Sequence, residues 1–206
     1  MLSEIIKNDI KEVQDSEMPS YRDIKPESSM SVNDAKKYWD GVFIEEPKQY
    51  FDDNGKKYRQ GDMLEVNNKF EVNGYSYETD SKSRVISVEG KLQVKNHKGR
   101  NEMPDSRDTV AHGEMKPTDD RGHLIADRFN GSGELENLVP MEGKLNKGDY
   151  AKLENTLAEA MNDGADVRLK VEVIYEGDST RPTEFRMSYS IDGEKDTIIF
   201  KNRSDY

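Results

Sequence analysis

Residues 119–126 read Asp119-Asp120-Arg121-Gly122-His123-Leu124-Ile125-Ala126, and they are followed by Asn137-Leu138-Val139-Pro140 and by Asn146-Lys147-Gly148-Asp149-Tyr150. The first run predicts a β-strand that carries His123, and the second predicts a strand that ends at Pro140. The glycine-rich residues 130–133 predict the turn between them, and a helix is predicted to begin near Asn146. A strand, a turn, a strand and a helix in this order indicate a ββα unit.

The polar residues of this unit suit the hydrolysis of a phosphodiester. His123 can act as a general base, because the imidazole side chain titrates close to neutral pH. Hard Mg²⁺ prefers oxygen ligands and keeps several waters, so the amide oxygen of Asn146 is the candidate metal ligand. Such a cation offsets charge on the phosphate and on the leaving oxygen.

The remaining candidates surround these two residues. Glu154 follows Asn146 by eight residues, which on a regular α-helix means two turns plus about 80° and about 12 Å of rise. We therefore expect Glu154 to orient a water beside the cation. Asp120 is expected to position neighbouring groups, and the candidates for phosphate contact are Arg121, Arg100 and Arg107.

Each candidate also has a structural interpretation. His123 can be a hydrogen-bonded core histidine on a strand. Asn146 can be a helix cap, a position where asparagine is favoured, and a cap is compatible with a metal ligand. Glu154 can be a solvated residue of an amphipathic helix.

The same residues resemble the signature of the DNA/RNA non-specific endonuclease family. Asp120-Arg121-Gly122-His123 matches the family tetrapeptide, whose histidine is the general base. Asn146 matches the metal-ligand asparagine of the following helix, and Glu154 matches the glutamate that closes the helix pattern. Asn137 matches an upstream asparagine of the active-site region, which implies contact with substrate. The family also uses an arginine upstream of its histidine, for which Arg100 is our first choice and Arg107 the second.

The resemblance implies an α+β fold, in which a central antiparallel sheet holds an embedded ββα-metal (His-Me) finger. The implied cofactor is Mg²⁺, with Mn²⁺ as an alternative, and the implied substrate is DNA, with RNA as a further candidate. More weakly, over about residues 70–203, the chain looks most like the C-terminal nuclease domains of Gram-positive polymorphic toxins exported by type VII secretion. That likeness implies an antibacterial role in the target-cell cytoplasm and a cognate immunity protein as partner.

Composition sets limits on these expectations. The chain has no cysteine, which excludes disulfides, thiolate metal sites and cysteine catalysis. Its net charge of −11 opposes nucleic-acid binding at first sight. The segment from Lys82 to Lys116 nevertheless holds eight basic and five acidic residues, which indicates either a small cationic patch for transient substrate contact or a solvated basic loop.

Three regions are predicted along the chain. Residues 1–30 read as an N-terminal helix and linker without a secretory signal, residues 31–65 as a helical or irregular lead-in, and residues 66–206 as the endonuclease domain. Strands are predicted at 75–77, 85–94, 167–175, 183–191 and 197–201, a helix at 146–162, and a long surface loop at 96–118.

Two other functions stay open at this point. A nuclease of the cell surface that serves nutrition or DNA uptake would need a signal or an anchor. A non-catalytic module that binds a basic protein on a nuclease scaffold would suit the acidic composition. The presence of a base, a metal ligand and a glutamate together favours the enzyme.

Overall fold

The computed structural model describes residues 47–95, 98–99, 101–103, 109–110 and 114–203. These residues belong to the unit Pro47–Tyr206. The predictions for residues 1–46, including the two helices before Pro47, lie outside the described residues. So do the predictions for Arg100 and Arg107.

Eleven strands occur in the described residues: β1 (Gln49–Phe51), β2 (Lys57–Gln60), β3 (Met63–Leu64), β4 (Lys69–Val72), β5 (Tyr75–Thr79), β6 (Val85–Lys91), β7 (Asp119–His123), β8 (Leu138–Glu142), β9 (Val167–Ile174), β10 (Glu184–Ile191) and β11 (Glu194–Lys201). They form a three-stranded sheet β1-β2-β3, a six-stranded sheet β11-β10-β9-β6-β5-β4 and the hairpin β7-β8. Every pairing in the six-stranded sheet is antiparallel, which confirms the predicted central sheet.

Turn residues explain two hairpins of the six-stranded sheet. Asn73 and Gly74 join β4 to β5 with φ angles of 55° and 76°. Asp192 and Gly193 join β10 to β11 with φ angles of 50° and 92°. Two successive positive φ angles define a type I′ turn, whose twist matches that of antiparallel strands and which favours Asn-Gly and Asp-Gly.

The helical part of the ββα unit begins earlier than predicted. Helix α1 (Gly143–Leu145) is followed by a π-helical segment (Asn146–Tyr150) and by α2 (Ala151–Asn162). The carboxylate of Glu142 accepts hydrogen bonds from the backbone N–H groups of Lys144 and Leu145, and this cap moves the start from residue 146 to residue 143. None of the described helices is long and apolar enough to cross a membrane.

One face of the six-stranded sheet and α2 share the main hydrophobic core. Leu153 and Leu157 of α2 are buried, and so are alternate residues of β9. The Tyr150 ring lies 5.9 Å from the Phe185 ring and 5.7 Å from the Phe200 ring. This packing fixes the helix of the ββα unit on a rigid sheet. Ala160 and Met161, near the end of α2, are only partly buried.

The lead-in predicted for residues 31–65 needs correction in its described part. Residues 49–64 form β1, β2 and β3 instead of helical or irregular structure. Tyr58 and Leu64 from these strands are buried in the same core as the six-stranded sheet. Long-range burial therefore decides the conformation of a segment that has little apolar periodicity of its own.

Candidate active site

Three hydrogen bonds join the segment after Asp119 to the helical segment. They link the side chains of Asn146 and Asp120 (3.1 Å), the Tyr150 hydroxyl and the Leu124 carbonyl (3.0 Å), and the side chains of Arg128 and Asn155 (2.6 Å). Successive contacts are four residues apart along residues 120–128 and four or five residues apart along residues 146–155. The helical segment therefore runs alongside β7 and the loop after it. We call this line of contacts the seam. In the chain, His123 lies between Asp120 and Leu124, the residues of the first two contacts.

Asp120 orients the amide of Asn146. The Asn146 Nδ2 donates to Asp120 Oδ2 at 3.1 Å. Lys147 Nζ forms a salt bridge with the same carboxylate at 2.7 Å, which balances its charge. Because the amide nitrogen of Asn146 faces Asp120, its oxygen Oδ1 is the atom that can face a cation.

The oxygen donors at this end of the seam suit a hard divalent cation. An amide oxygen from Asn146 and the carboxylate of Asp120 are the ligand types that Mg²⁺ and Mn²⁺ accept. Mg²⁺ is usually held by only one or two protein groups and keeps several waters. Among the described residues, no three His, Asp or Glu side chains form a group that could hold a metal ion.

His123 ends β7 and pairs with Leu138 across the hairpin. Its side chain is largely shielded, with 9% of the residue exposed. Immediately after it, the N–H of Leu124 donates to the Asn137 carbonyl at 2.9 Å. Hydrogen bonds therefore hold the backbone both before and after His123, and such support is what a general base requires.

Asn137 has a structural role that corrects the prediction of substrate contact. Its Nδ2 donates to the carbonyls of Ile125 (2.8 Å) and Ser132 (2.7 Å), and its Oδ1 accepts from the N–H of Ile125 (2.9 Å). The residue is 0% exposed. Its amide is therefore used to hold the chain just after His123, and no substrate can reach it.

Gly122 is required by a close approach between the two strands of the hairpin. A Cβ at this position would lie 2.6 Å from Met141 Cβ and 2.9 Å from Met141 Cε. Its φ is not among the positive values found at other glycines. A left-handed turn is therefore not the reason for this glycine, which instead lets β7 pack closely against the buried Met141 of β8.

Glu154 lies in the first turn of α2 and is mostly buried. Burial raises the pKa of its carboxyl to about 7, and the positive charge of Arg128 partly opposes this shift. The π-helical segment and the non-helical Gly148 (φ −104°, ψ −107°) separate Glu154 from Asn146. The regular α-helical geometry assumed for this pair is therefore wrong, and their relative direction does not follow from 100° per residue.

Of two arginines near His123, the sequence motif indicated Arg121 but not Arg128. Arg121 is half-buried and pairs with Pro140 in the hairpin, and its phosphate contact stays a prediction. Arg128 was missed, although it is exposed and bonds to α2 beside Glu154. Its position five residues after His123 was the available signal.

A family model described as DNA/RNA non-specific endonuclease matches residues 66–193, more than half of the chain. The chain belongs to this family. The family identification agrees with the motif residues, all of which lie inside the matched range.

The curated relatives of this chain include the type VII secretion system protein EssD of Staphylococcus aureus strain USA300. The two are 37% identical over 137 residues, which are 63% of this chain and 22% of that protein. EssD from strain NCTC 8325 gives the same values. The chain thus spans about a fifth of the length of the relatives it matches.

Two solved nuclease structures are similar to this chain. The Sda1 nuclease with a bound zinc ion has a TM-score of 0.52 and 17% identity, covering 78% of this chain and 86% of that chain. NucA from Streptococcus agalactiae with magnesium bound has a TM-score of 0.49 and 14% identity, covering 85% and 91%. The likeness to Sda1 confirms the α+β class with an embedded ββα finger.

Proposed function

We propose that this chain is a metal-dependent endonuclease that hydrolyses the phosphodiester bonds of DNA without sequence specificity, and that it also accepts RNA. The observation that carries the proposal is the hydrogen bond from Asn146 Nδ2 to Asp120 Oδ2, which engages the amide nitrogen with the strand that carries His123 and leaves the amide oxygen as the atom that can bind a cation. A merely structural asparagine would use both ends of its amide, as Asn137 does.

His123 takes the proton from the attacking water in this scheme. Asn146, supported by Asp120, would hold Mg²⁺ or Mn²⁺. When bound, the cation supplies the positive charge that offsets the phosphate in the transition state. Glu154 orients the water beside the cation. Burial raises the pKa of its carboxyl, and a nearby cation would oppose that shift and favour the ionised form.

Arginines complete the proposed phosphate contacts. Arg121 and Arg128 lie two residues before and five residues after His123 in the chain. Arg100 and Arg107 remain the proposed upstream arginines. Hydrolysis by water uses no 2′-hydroxyl, so the same groups act on DNA and on RNA.

The likeness to EssD supports a biological role for this activity. We infer that the chain is the nuclease part of a secreted antibacterial toxin, that it acts in the target-cell cytoplasm, and that an immunity protein neutralises it in the producing cell. EssD is a type VII secretion system protein, and this supports export of the chain by that route.

The test is cleavage of supercoiled plasmid and of total RNA by the purified protein, with Mg²⁺ or with EDTA. We expect cleavage with Mg²⁺ only, and a loss of about 10²- to 10⁴-fold in rate for His123→Ala, the usual contribution of a general base. His112→Ala is the matched control and should keep the wild-type rate. A wild-type protein that is inactive with both Mg²⁺ and Mn²⁺ would favour a non-catalytic binding module.

A further inference from the structure

The start of β7 contributes to a buried polar cluster, which consists of Asp119, Arg181 and Asn202. We propose that Asn202 and Arg181 are positioning residues that fix Asn146 for cation binding. The proposal rests on the proposed metal-dependent function. It concerns residues to which the sequence motifs assigned no role, and Asn202 lies beyond the range matched by the family model.

Arg181 ties the start of β7 to the C-terminal strands. Its Nε and Nη2 donate to the two carboxylate oxygens of Asp119, both at 2.7 Å. Its Nη1 donates to the backbone carbonyl of Asn202 at 2.9 Å. Two parallel hydrogen bonds between a guanidinium and a carboxylate define direction as well as distance. Asp119 is therefore held in one orientation, and it immediately precedes Asp120, which orients Asn146.

Asn202 ties the end of β8 to the same strands. Its Oδ1 accepts from the backbone N–H of Glu142, and its Nδ2 donates to the carbonyls of Pro140 and Pro182, each at 2.8 Å. The residue is 3% exposed. Because every polar atom of the amide is engaged with backbone, Asn202 fixes where β8 ends.

Glu142 connects Asn202 to the start of α1. Its backbone N–H is held by Asn202, while its carboxylate oxygen Oε2 caps α1 through Lys144 N (2.7 Å) and Leu145 N (3.1 Å). Asn146 is the next residue after Leu145. Two short series of contacts thus connect the cluster to Asn146, the proposed metal ligand. One runs through Asp119 and Asp120, and the other runs through Glu142.

If the cluster contributed to folding alone, its two series of hydrogen bonds would not both need to end next to Asn146. Both carry directional hydrogen bonds from buried groups to its neighbours, and such supporting contacts around metal ligands typically change metal affinity by about 10- to 100-fold. We therefore expect the cluster to act on cation affinity even where the variants remain folded.

The test is Mn²⁺ binding to the metal-free full chain, measured by calorimetry without nucleic acid, for wild type, Asn146→Ala, Asn202→Ala and Asn68→Ala. Asn68 is a buried asparagine immediately before β4, and its backbone N–H donates to Thr79 at the end of β5, so its variant controls for general destabilisation. We expect Asn202→Ala to weaken Mn²⁺ binding about 10-fold or more, and Asn68→Ala to change it less than about 2-fold.

The outcomes separate the two proposals. If wild type binds Mn²⁺, Asn146→Ala does not, and Asn202→Ala binds as wild type does, the positioning role is overturned and the endonuclease proposal stands. If wild type binds neither Mn²⁺ nor Mg²⁺, both fail. Should Asn202→Ala not fold, Arg181→Lys replaces it: this variant keeps the charge but loses the paired geometry, and it should also weaken Mn²⁺ binding. Wild-type affinity in a folded Arg181→Lys protein would again overturn the positioning role.

Discussion

At the scale of single residues, Glu154 gives the clearest dependence on pH. Its folded-state pKa of about 7 lies above the ordinary value of 4.5, chiefly because of burial. The folded protein therefore holds this proton more tightly than the unfolded chain does. Stability from this group is fully present below pH 4.5, falls as the pH rises from 4.5 to 7, and is constant above that.

We predict that Glu154→Gln removes this fall in the free energy of unfolding of the metal-free protein. The measurement is urea denaturation of both proteins in EDTA at a series of pH values from acid to neutral. Glu159→Gln, an exposed glutamate of the same helix, is the control and should keep the wild-type pH dependence. A stability difference between wild type and Glu154→Gln that does not vary with pH would contradict the assignment.

Two asparagines show what residue-level reasoning can and cannot predict. The motif predicted both Asn137 and Asn146 near His123; in the structure Asn137 contacts Ile125 and Asn146 contacts Asp120. The sequence could not show that the Asn137 amide binds backbone groups whereas the Asn146 amide nitrogen binds a carboxylate. That difference depends on which partners the fold brings within hydrogen-bonding distance.

At the scale of elements, β2 is connected to the loop before β8 by a buried charge cluster. Arg59, 2% exposed, lies 2.8 Å from Glu134 and 3.7 Å from Glu136, and it stacks on the Tyr50 ring at 3.3 Å. Tyr58 donates to Glu136 at 3.2 Å. Burial raises the pKa of the Glu136 carboxyl. Because Glu136 precedes Asn137, the cluster connects the three-stranded sheet to the chain that supports His123.

We predict that Arg59→Met destabilises the protein by about 3–5 kcal/mol, because it leaves a buried carboxylate without its opposite charge. In the double variant Arg59→Met with Glu136→Gln, most of this loss should be recovered. Urea denaturation of the single and double variants gives the coupling free energy. Equal costs of Arg59→Met in the two backgrounds would show that the two residues do not interact.

The elements themselves were predictable to different degrees. β9 and β10 alternate apolar and polar residues, and their bounds were predicted closely. The bounds of β1 to β3 were not, because Tyr58 and Leu64 are buried by contacts with distant parts of the chain. The early start of α1 depends on a glutamate cap, which the sequence alone does not distinguish from an ordinary strand residue.

At the scale of the whole molecule, the folded unit is longer than the matched range of residues 66–193. Arg59 on one side and Asn202 on the other make buried contacts with the ββα unit. These partners are far from the motif in sequence, so local patterns gave no sign of them. The order of strand, strand and helix, by contrast, was predictable because it is local.

We predict that a fragment of residues 47–206 cleaves plasmid at the full-chain rate, because it keeps the described contacts. Removal of residues 1–30 alone should likewise leave cleavage intact. A fragment of residues 66–193 should lack cooperative unfolding and activity, since both buried clusters lose members. Thermal denaturation and plasmid cleavage check both fragments, and a folded, active 66–193 fragment would contradict this boundary.

The central claim is that Asn146 holds the catalytic cation beside His123. The most direct test is the rate of plasmid cleavage by Asn146→Ala over a Mg²⁺ titration, with Asn162→Ala, an exposed asparagine at the end of α2, as the matched control. We expect Asn162→Ala to need about as much Mg²⁺ as wild type, whereas Asn146→Ala should be inactive or need at least about 10-fold more. Cleavage by Asn146→Ala at the wild-type rate and Mg²⁺ concentration would contradict the central claim.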